Sequence, residues 1–485
     1  MAGIAFQLKK LFKSTSIMSK LTGSLYASFT TIGPLILVIL TLFTVYFFLG
    51  YNEIIFATRE LLANTILYVF IFSLCTTAPF NAVLSRYISD KIFEGKENDI
   101  LSSYYIALAI NVAFSAIPGI LFALRLIFIG NVEIVFVCLA YLTYMGLVIV
   151  FFTMTYITAL KEYLKIFRSF VIGLGVSVVF SIVLHKVFGV NPEYAIIAGF
   201  ALGFLIVAFL LFGLVRDYFK VNSRNYREVL TYYKIHWRLI LINSLYTFGL
   251  YIHNFIFWFT DLQIVVADSF ISAPAYDMAT CIAMFINISV MVVFVVEVET
   301  KFHEKYQSYC HSVLGSTWDD IEYTKKELFT TINHGLIFIF NLQVIITLVL
   351  YLASLIVMPL IGVSTYILTI VSPLAVAYMV IFIMYNLIIF VYYFNVYNWA
   401  LLSMAIFFVG TFIGTMITKN LTPNLFGVGV LVGAFMGLTS AFFSLRAIEK
   451  KLDYYIFCQG SLTNVVEKKG WSVTRYELGT KNTKS

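Results

Sequence analysis

The feature that most constrains this chain is repetition. Apolar blocks of about 20 residues or more, each long enough as a helix to cross a hydrocarbon layer of about 30 Å, recur along nearly its whole length. They lie near residues 25–50, 62–85, 101–128, 134–160, 169–189, 194–215, 237–260, 275–298, 329–361, 365–391, 395–418 and 424–446. In lipid every backbone polar group must be satisfied within the protein, so only helices or a closed barrel can span. A barrel would alternate polar and apolar residues in segments of about 10, and these blocks do not. Charged residues make up 12% of the chain, against roughly 25% in soluble domains. The expectation is an all-α polytopic membrane protein with 12 transmembrane helices.

The basic residues test that count. With the N-terminus placed inside, 28 of the 32 Lys and Arg fall in alternate connections, leaving Arg59, Arg125, Lys186 and Lys419 outside. Both termini are therefore expected in the cytosol. Five domain segments follow: a cytosolic amphipathic segment 1–24, an N-lobe 25–217, a basic cytosolic linker 218–236, a C-lobe 237–446 and a polar cytosolic tail 447–485. In the first segment Ile4, Leu8, Leu11 and Phe12 share one helical face with lysines around the other, which suits a surface helix better than a signal peptide. Six spans on either side of the linker hint at internal duplication. The second span ends in SRYISDKIFEGK and the eighth in ETKFHEKYQSY, each carrying a basic residue, an aromatic, then an acid followed by Lys.

Ionisable residues inside spans are costly and are functional candidates. Few are present. The first span carries the Gly33-Pro34 pair, which is either a packing kink or a hinge. Arg125, near the outer end of the third span, either snorkels to the interface or lines a cavity. The seventh span is the most polar, and Asn243, Tyr246, Thr247 and Asn254 share a face on it. With His253, and with Asp277 beyond Pro274, they are candidates for a substrate pathway; interhelical hydrogen bonding is the competing explanation. Glu297 and Glu299 fall at the cytosolic end of the eighth span, where Glu297 can pair with Lys301 at i+4. With Tyr306 they form a candidate gate or docking corner, mirrored in the first half by Arg86, Tyr87, Asp90 and Lys91. Five cysteines stand singly, so neither a metal site nor a disulfide framework is indicated. No cofactor and no nucleic-acid partner is expected.

The opening MAGIAFQLKK, the TIGPLIL of the first span, SRYISDKIFEGK and ETKFHEKY together resemble the Pel exopolysaccharide transporter family, PelG, a branch of the multidrug/oligosaccharidyl-lipid/polysaccharide (MOP) flippase superfamily. The match runs in order along nearly the whole chain and departs at 447–485, where the tail is longer. The resemblance implies a two-lobed, 12-helix, non-enzymatic exporter in the inner (cytoplasmic) membrane that moves a polysaccharide outward during biofilm exopolysaccharide synthesis. It also implies a cytosolic glycosyltransferase and small membrane subunits as partners, with the basic, Tyr-rich VNSRNYREVLTYYKIHWR as one docking surface; attraction to membrane lipid headgroups is the other reading of that stretch. The Pel polymer is partly deacetylated and so cationic, which agrees with seven acids against four basic residues toward the outside. A cation-coupled small-molecule antiporter and a lipid-linked oligosaccharide flippase of the same superfamily are the alternatives. The scarcity of Arg and Lys within spans counts against pyrophosphate recognition.

Overall fold

The computed structural model describes residues 33–34, 36–50, 55–160, 163–294, 298, 300–360 and 362–457. The amphipathic segment 1–24, the Glu297 and Glu299 pair and the tail beyond residue 457 lie outside the described residues. Among the described residues fourteen helices carry the fold: α1 (Ile36–Phe48), α2 (Phe56–Phe93), α3 (Asn98–Phe128), α4 (Ile134–Leu160), α5 (Tyr163–Lys186), α6 (Pro192–Tyr218) and α7 (Tyr226–Ile235) in the first half. The second half holds α8 (Trp237–Phe257), α9 (Pro274–Val293), α10 (Thr300–Gly315), α11 (Trp318–Leu360), α12 (Thr365–Tyr393), α13 (Tyr397–Thr418) and α14 (Val428–Phe457). Ten of them are long and apolar enough to cross a membrane, and they coincide with the expected second to seventh and ninth to twelfth spans. The first expected span corresponds to α1, 13 residues among those described, and the eighth to α9.

One element departs from the all-helical expectation. Between α8 and α9 a short hairpin pairs β1 (Ile264–Val266) with β2 (Phe270–Ser272), Val265 opposite Ile271. Ala267 and Asp268 turn it with φ of 50° and 43°. Its strands of three residues were too short to register against the apolar blocks around them.

Helix ends follow local chemistry. Pro192 and Pro274 open α6 and α9, where the missing N–H has no partner to lose. Gly95, Gly189 and Gly362 take positive φ just past α2, α5 and α11. Asn395 does the same past α12 at φ 58°, one of the few non-glycine residues tolerant of that region.

Among the described residues two large buried cores form, one over Val38–Phe219 and the other mostly over Leu239–Leu452, and a small third one joins Leu126 and Val137 to Val266 and Phe270 of the hairpin. Helix α2 contributes to both: Leu62, Val69, Leu84 and Ile88 to the first, Ile71, Cys75 and Val83 to the second. Within the second core α13 and α14 approach so closely that a Cβ on Gly433 would lie 2.3 Å from the Thr411 nitrogen, the small-residue contact that drives helix association in lipid. Helix α11 runs 43 residues, and its first turns pack with α10 and the end of α14 through Lys305 to Glu327, Lys325 to Asp453 (2.5 Å) and Tyr309 to Asp453 (3.1 Å).

Candidate functional site

Because α2 is shared between the cores, its side chains decide how the two halves meet. Three rungs tie it to the C-terminal half. At one end the Tyr68 hydroxyl donates to the Ile271 carbonyl (2.8 Å) and accepts from the Ile271 N–H (3.0 Å), serving both peptide groups of one hairpin residue. The Tyr68 ring stacks on Trp258, centroids 5.0 Å apart and planes 9° apart. Midway, Asn243 Nδ2 donates to the Ala78 carbonyl, while Phe72 stacks on Phe255 at 5.9 Å. At the other end Arg86 Nη1 donates to Asn395 Oδ1 (2.5 Å). At 1.5 Å of rise per residue the rungs are about 15 and 12 Å apart, so together they span close to the thickness of the hydrocarbon layer.

The Arg86 rung is the most elaborate. Arg86 Nε also bonds Asp90 one turn on (3.1 Å), the favourable i, i+4 spacing. Tyr232 of α7 donates its hydroxyl to Asp90 (2.5 Å), and Tyr397 donates to Asn395 Oδ1 (3.0 Å). Between the two tyrosines lies His236, its ring 4.3 Å from that of Tyr232 and edge-on to Tyr397 at 6.1 Å. Burial, and then the Arg86 charge, hold the His236 imidazole below its ordinary pKa, with Asp90 opposing. Burial, and then Asp90, hold the Tyr232 hydroxyl above its own. The backbone explains the aim of Asn395: its positive φ ends α12, its N–H bonds the Tyr392 carbonyl (3.0 Å), and its side chain is left to face α2.

The repeated motif in the second half reaches the same corner. Phe302 is fully buried with its ring 4.9 Å from Tyr393 and 6.0 Å from Phe394, and the Tyr306 hydroxyl bonds the Tyr393 carbonyl (3.4 Å). SRYISDK and TKFHEKY, 214 positions apart when Arg86 is set against Thr300, therefore converge on residues 393–397 from two sides. Tyr87 and Lys91 point elsewhere. Tyr87 packs edge-on to Tyr232 at 5.1 Å. Lys91, 4% exposed, pairs with Glu228 of α7 (2.6 Å), Glu94 (3.3 Å) and Asp99 (3.8 Å), which fastens α7 to the end of α2. Lys301 opens α10 beside them in sequence.

The polar residues of α8 disperse to different neighbours. Tyr246 stacks on Tyr385 of α12 (4.5 Å), and Thr247 is half-buried. His253 is fully buried between Tyr276 (Nδ1, 2.9 Å) and Tyr378 (Nε2, 3.1 Å). The single Tyr378 hydroxyl proton goes to the Leu250 carbonyl (3.1 Å), so Nε2 is assigned the ring hydrogen and Nδ1 accepts from Tyr276. Asp277 accepts from Asn254 (2.7 Å), from Trp258 (3.0 and 3.1 Å) and from the Ala273 N–H (3.0 Å). Neutral donors thus satisfy this carboxylate while it caps α9 and clasps it to α8. Gly33 and Pro34 are buried, and a Cβ on Gly33 would come within 2.7 Å of the Phe167 ring of α5. Among the described residues no group of three or more His, Cys, Asp or Glu is placed to hold a metal ion.

Sequence comparison supplies the family. The model of PelG, described as "Putative exopolysaccharide Exporter (EPS-E)", matches residues 1–457. The chain belongs to the PelG family. No curated protein matches it by sequence. The structure of this PelG-family chain is similar to an outward-facing multidrug resistance MATE family transporter of the MOP superfamily, with a TM-score of 0.57 at 11% identity, covering 89% of this chain and 96% of that one. A MATE in the straight conformation gives 0.57 at 12% identity over 88% and 96%, and the eukaryotic MATE transporter AtDTX14 gives 0.56 at 9% over 87% and 95%. This PelG-family chain therefore has a MATE-like transporter fold. Asn395 and Tyr397, like Tyr68 and Trp258 of the first rung, escaped the sequence reading; for Asn395 the Asn-bearing FNVYNW at the break between two apolar blocks was the available signal.

Proposed function

We propose that this protein exports a polysaccharide across the inner (cytoplasmic) membrane during exopolysaccharide synthesis, and that the α2 seam is where its two halves part to pass the polymer. The observation that carries the reading is the convergence of both family motifs on residues 393–397, with Arg86 bridging the halves there. The Arg86 rung is the cytosolic gate and the Tyr68 rung the outer one, with 12 spans and both termini inside. The pathway candidates of α8, Asn243 above all, lie along the same seam. A polymer rich in amino sugars suits the acidic outer side. Gly33 and Pro34 would serve as a hinge against α5, and Glu297, Glu299 and Lys301 would complete the inner corner. A glycosyltransferase and small membrane subunits would dock on the α7 surface and the α10–α11 hairpin, delivering the chain at the gate.

The test is deletion of the gene followed by separate measurement of polymer inside and outside the cells. Polymer retained inside, with export restored by the wild-type gene but not by a variant cross-linked between positions 86 and 395, is the expected result. Normal extracellular polymer with altered drug tolerance would overturn the proposal in favour of an antiporter.

A further inference from the structure

Near the Tyr68 rung, α2, α3 and α4 leave between them a cavity of about 410 Å³. That is well above the roughly 150 Å³ of an apolar hole that holds benzene and within the 300–1,000 Å³ of small-molecule sites. Pro118 lines it and interrupts the α3 hydrogen-bond ladder at this level.

Apart from the Tyr141 hydroxyl at its rim, the polar side-chain atoms on its wall are already spent. Thr65 bonds the Leu61 carbonyl (2.7 Å), Tyr68 bonds Ile271 on both sides, and Tyr144 bonds the Ser115 carbonyl (3.0 Å) and Thr76 (3.2 Å). A sugar placed there would bury hydroxyls without partners, at a cost of about 1–3 kcal/mol each. An alkyl chain would not. One cation overlooks the space: Arg125, exposed, its guanidinium at the limit of bonding distance from the Asp268 carbonyl (3.5 Å). It lies seven residues beyond Pro118, about 10 Å along the helix, and close to the end of α3 at Phe128. That is the separation between a headgroup and the upper part of its own acyl chain, and guanidinium geometry matches a phosphate bidentately.

We propose that this cavity is a specific site for an anionic phospholipid, with an acyl chain in the apolar volume and the phosphate on Arg125. Tyr68 and Phe270 form part of the wall, so the bound lipid braces the contact that ties α2 to the hairpin.

Native mass spectrometry of the full chain, titrated with phosphatidylglycerol, with phosphatidylcholine of the same chains and with inorganic phosphate, tests this. One phosphatidylglycerol should be retained about tenfold more tightly than phosphatidylcholine. Arg125→Gln should reduce it to the phosphatidylcholine level. Ala140→Phe, which fills the cavity and leaves the charge in place, should remove the tight adduct of either lipid. Ala123→Leu is a milder filler should Ala140→Phe fail to elute as a folded monodisperse species. Excess inorganic phosphate should not displace the lipid. Equal retention by the wild type, Arg125→Gln and a folded filler variant would overturn the proposal, as would full displacement by inorganic phosphate. None of these readouts depends on polysaccharide export.

Discussion

Replacing Asn395 by Gly isolates the Arg86 rung. At φ 58° glycine keeps the turn that ends α12, so the backbone is undisturbed and only the acceptor is lost. Glycine also loosens the unfolded chain, but that does not enter an equilibrium between two folded arrangements. A hydrogen bond from a charged donor contributes about 1.5–3 kcal/mol. Arg86 is 30% exposed and Asn395 is exposed, so water compensates part of it and the lower end applies, about 1.5 kcal/mol or roughly tenfold in the open-to-closed ratio. Asn395→Asp should act in the opposite sense by placing a carboxylate against the guanidinium. Spin labels at Ser89 and Asn398, both exposed beside the rung, report the separation of the halves. The long-distance fraction should rise in the Gly variant and fall in the Asp variant. If the two substitutions shift the distribution in the same direction, or neither shifts it, the bond does not hold the halves together.

Tyr68→Phe keeps the stack on Trp258 but leaves the Ile271 N–H and C=O without their partner, costing about 1–3 kcal/mol; hydrogen exchange at Ile271 should rise while that of α2 is unchanged. Gly433→Leu forces a side chain into a space where even a Cβ lies 2.3 Å from backbone, and the α13–α14 pair should lose about 1–3 kcal/mol or more, seen as a lower unfolding temperature in detergent. His236 adds a pH dependence. Its folded-state pKa is below the ordinary value of 6.5, so its contribution is complete above that value and is lost as pH falls through it toward the lower folded value. Acidification from about pH 7.5 to 5.5 should therefore loosen the Arg86 rung in the wild type, where a second positive charge appears beside Arg86, and should do so less in His236→Gln.

Apolar blocks without the alternation of a barrel translate directly into helices because in lipid the backbone must then bond itself within each segment, and ten of the expected spans correspond to helices of sufficient length. Polar partners were far less legible. Asn243, Tyr246 and Asn254 share a helical face, yet bond or stack with α2, α12 and α9 respectively, since a helix buried in a bundle meets a different neighbour at each turn. Asn287, Gln343 and Thr347 form a buried hydrogen-bonded knot (2.7 Å from Gln343 and from Thr347 to Asn287) that no spacing rule reveals, because 56 positions separate the first two. Of the motif residues, Arg86 and Asp90 meet Asn395 and Tyr232 at the helix end. Their acceptor, an Asn in a turn, carries no pattern of its own.

The length of α11 has a mechanical consequence. Forty-three residues make a rod of about 65 Å, of which a membrane embraces about 30 Å. Proline interrupts it at Pro359 alone, near its far end. Its first turns are clamped to α10 through Lys305 and to α14 through Lys325, while much of its apolar length is exposed, held to the rest of the chain on one face by Ile332, Ile339, Gln343 and Thr347. A rod of that length works as a lever arm, carrying a displacement of its clamped end to the embedded end tens of ångströms away.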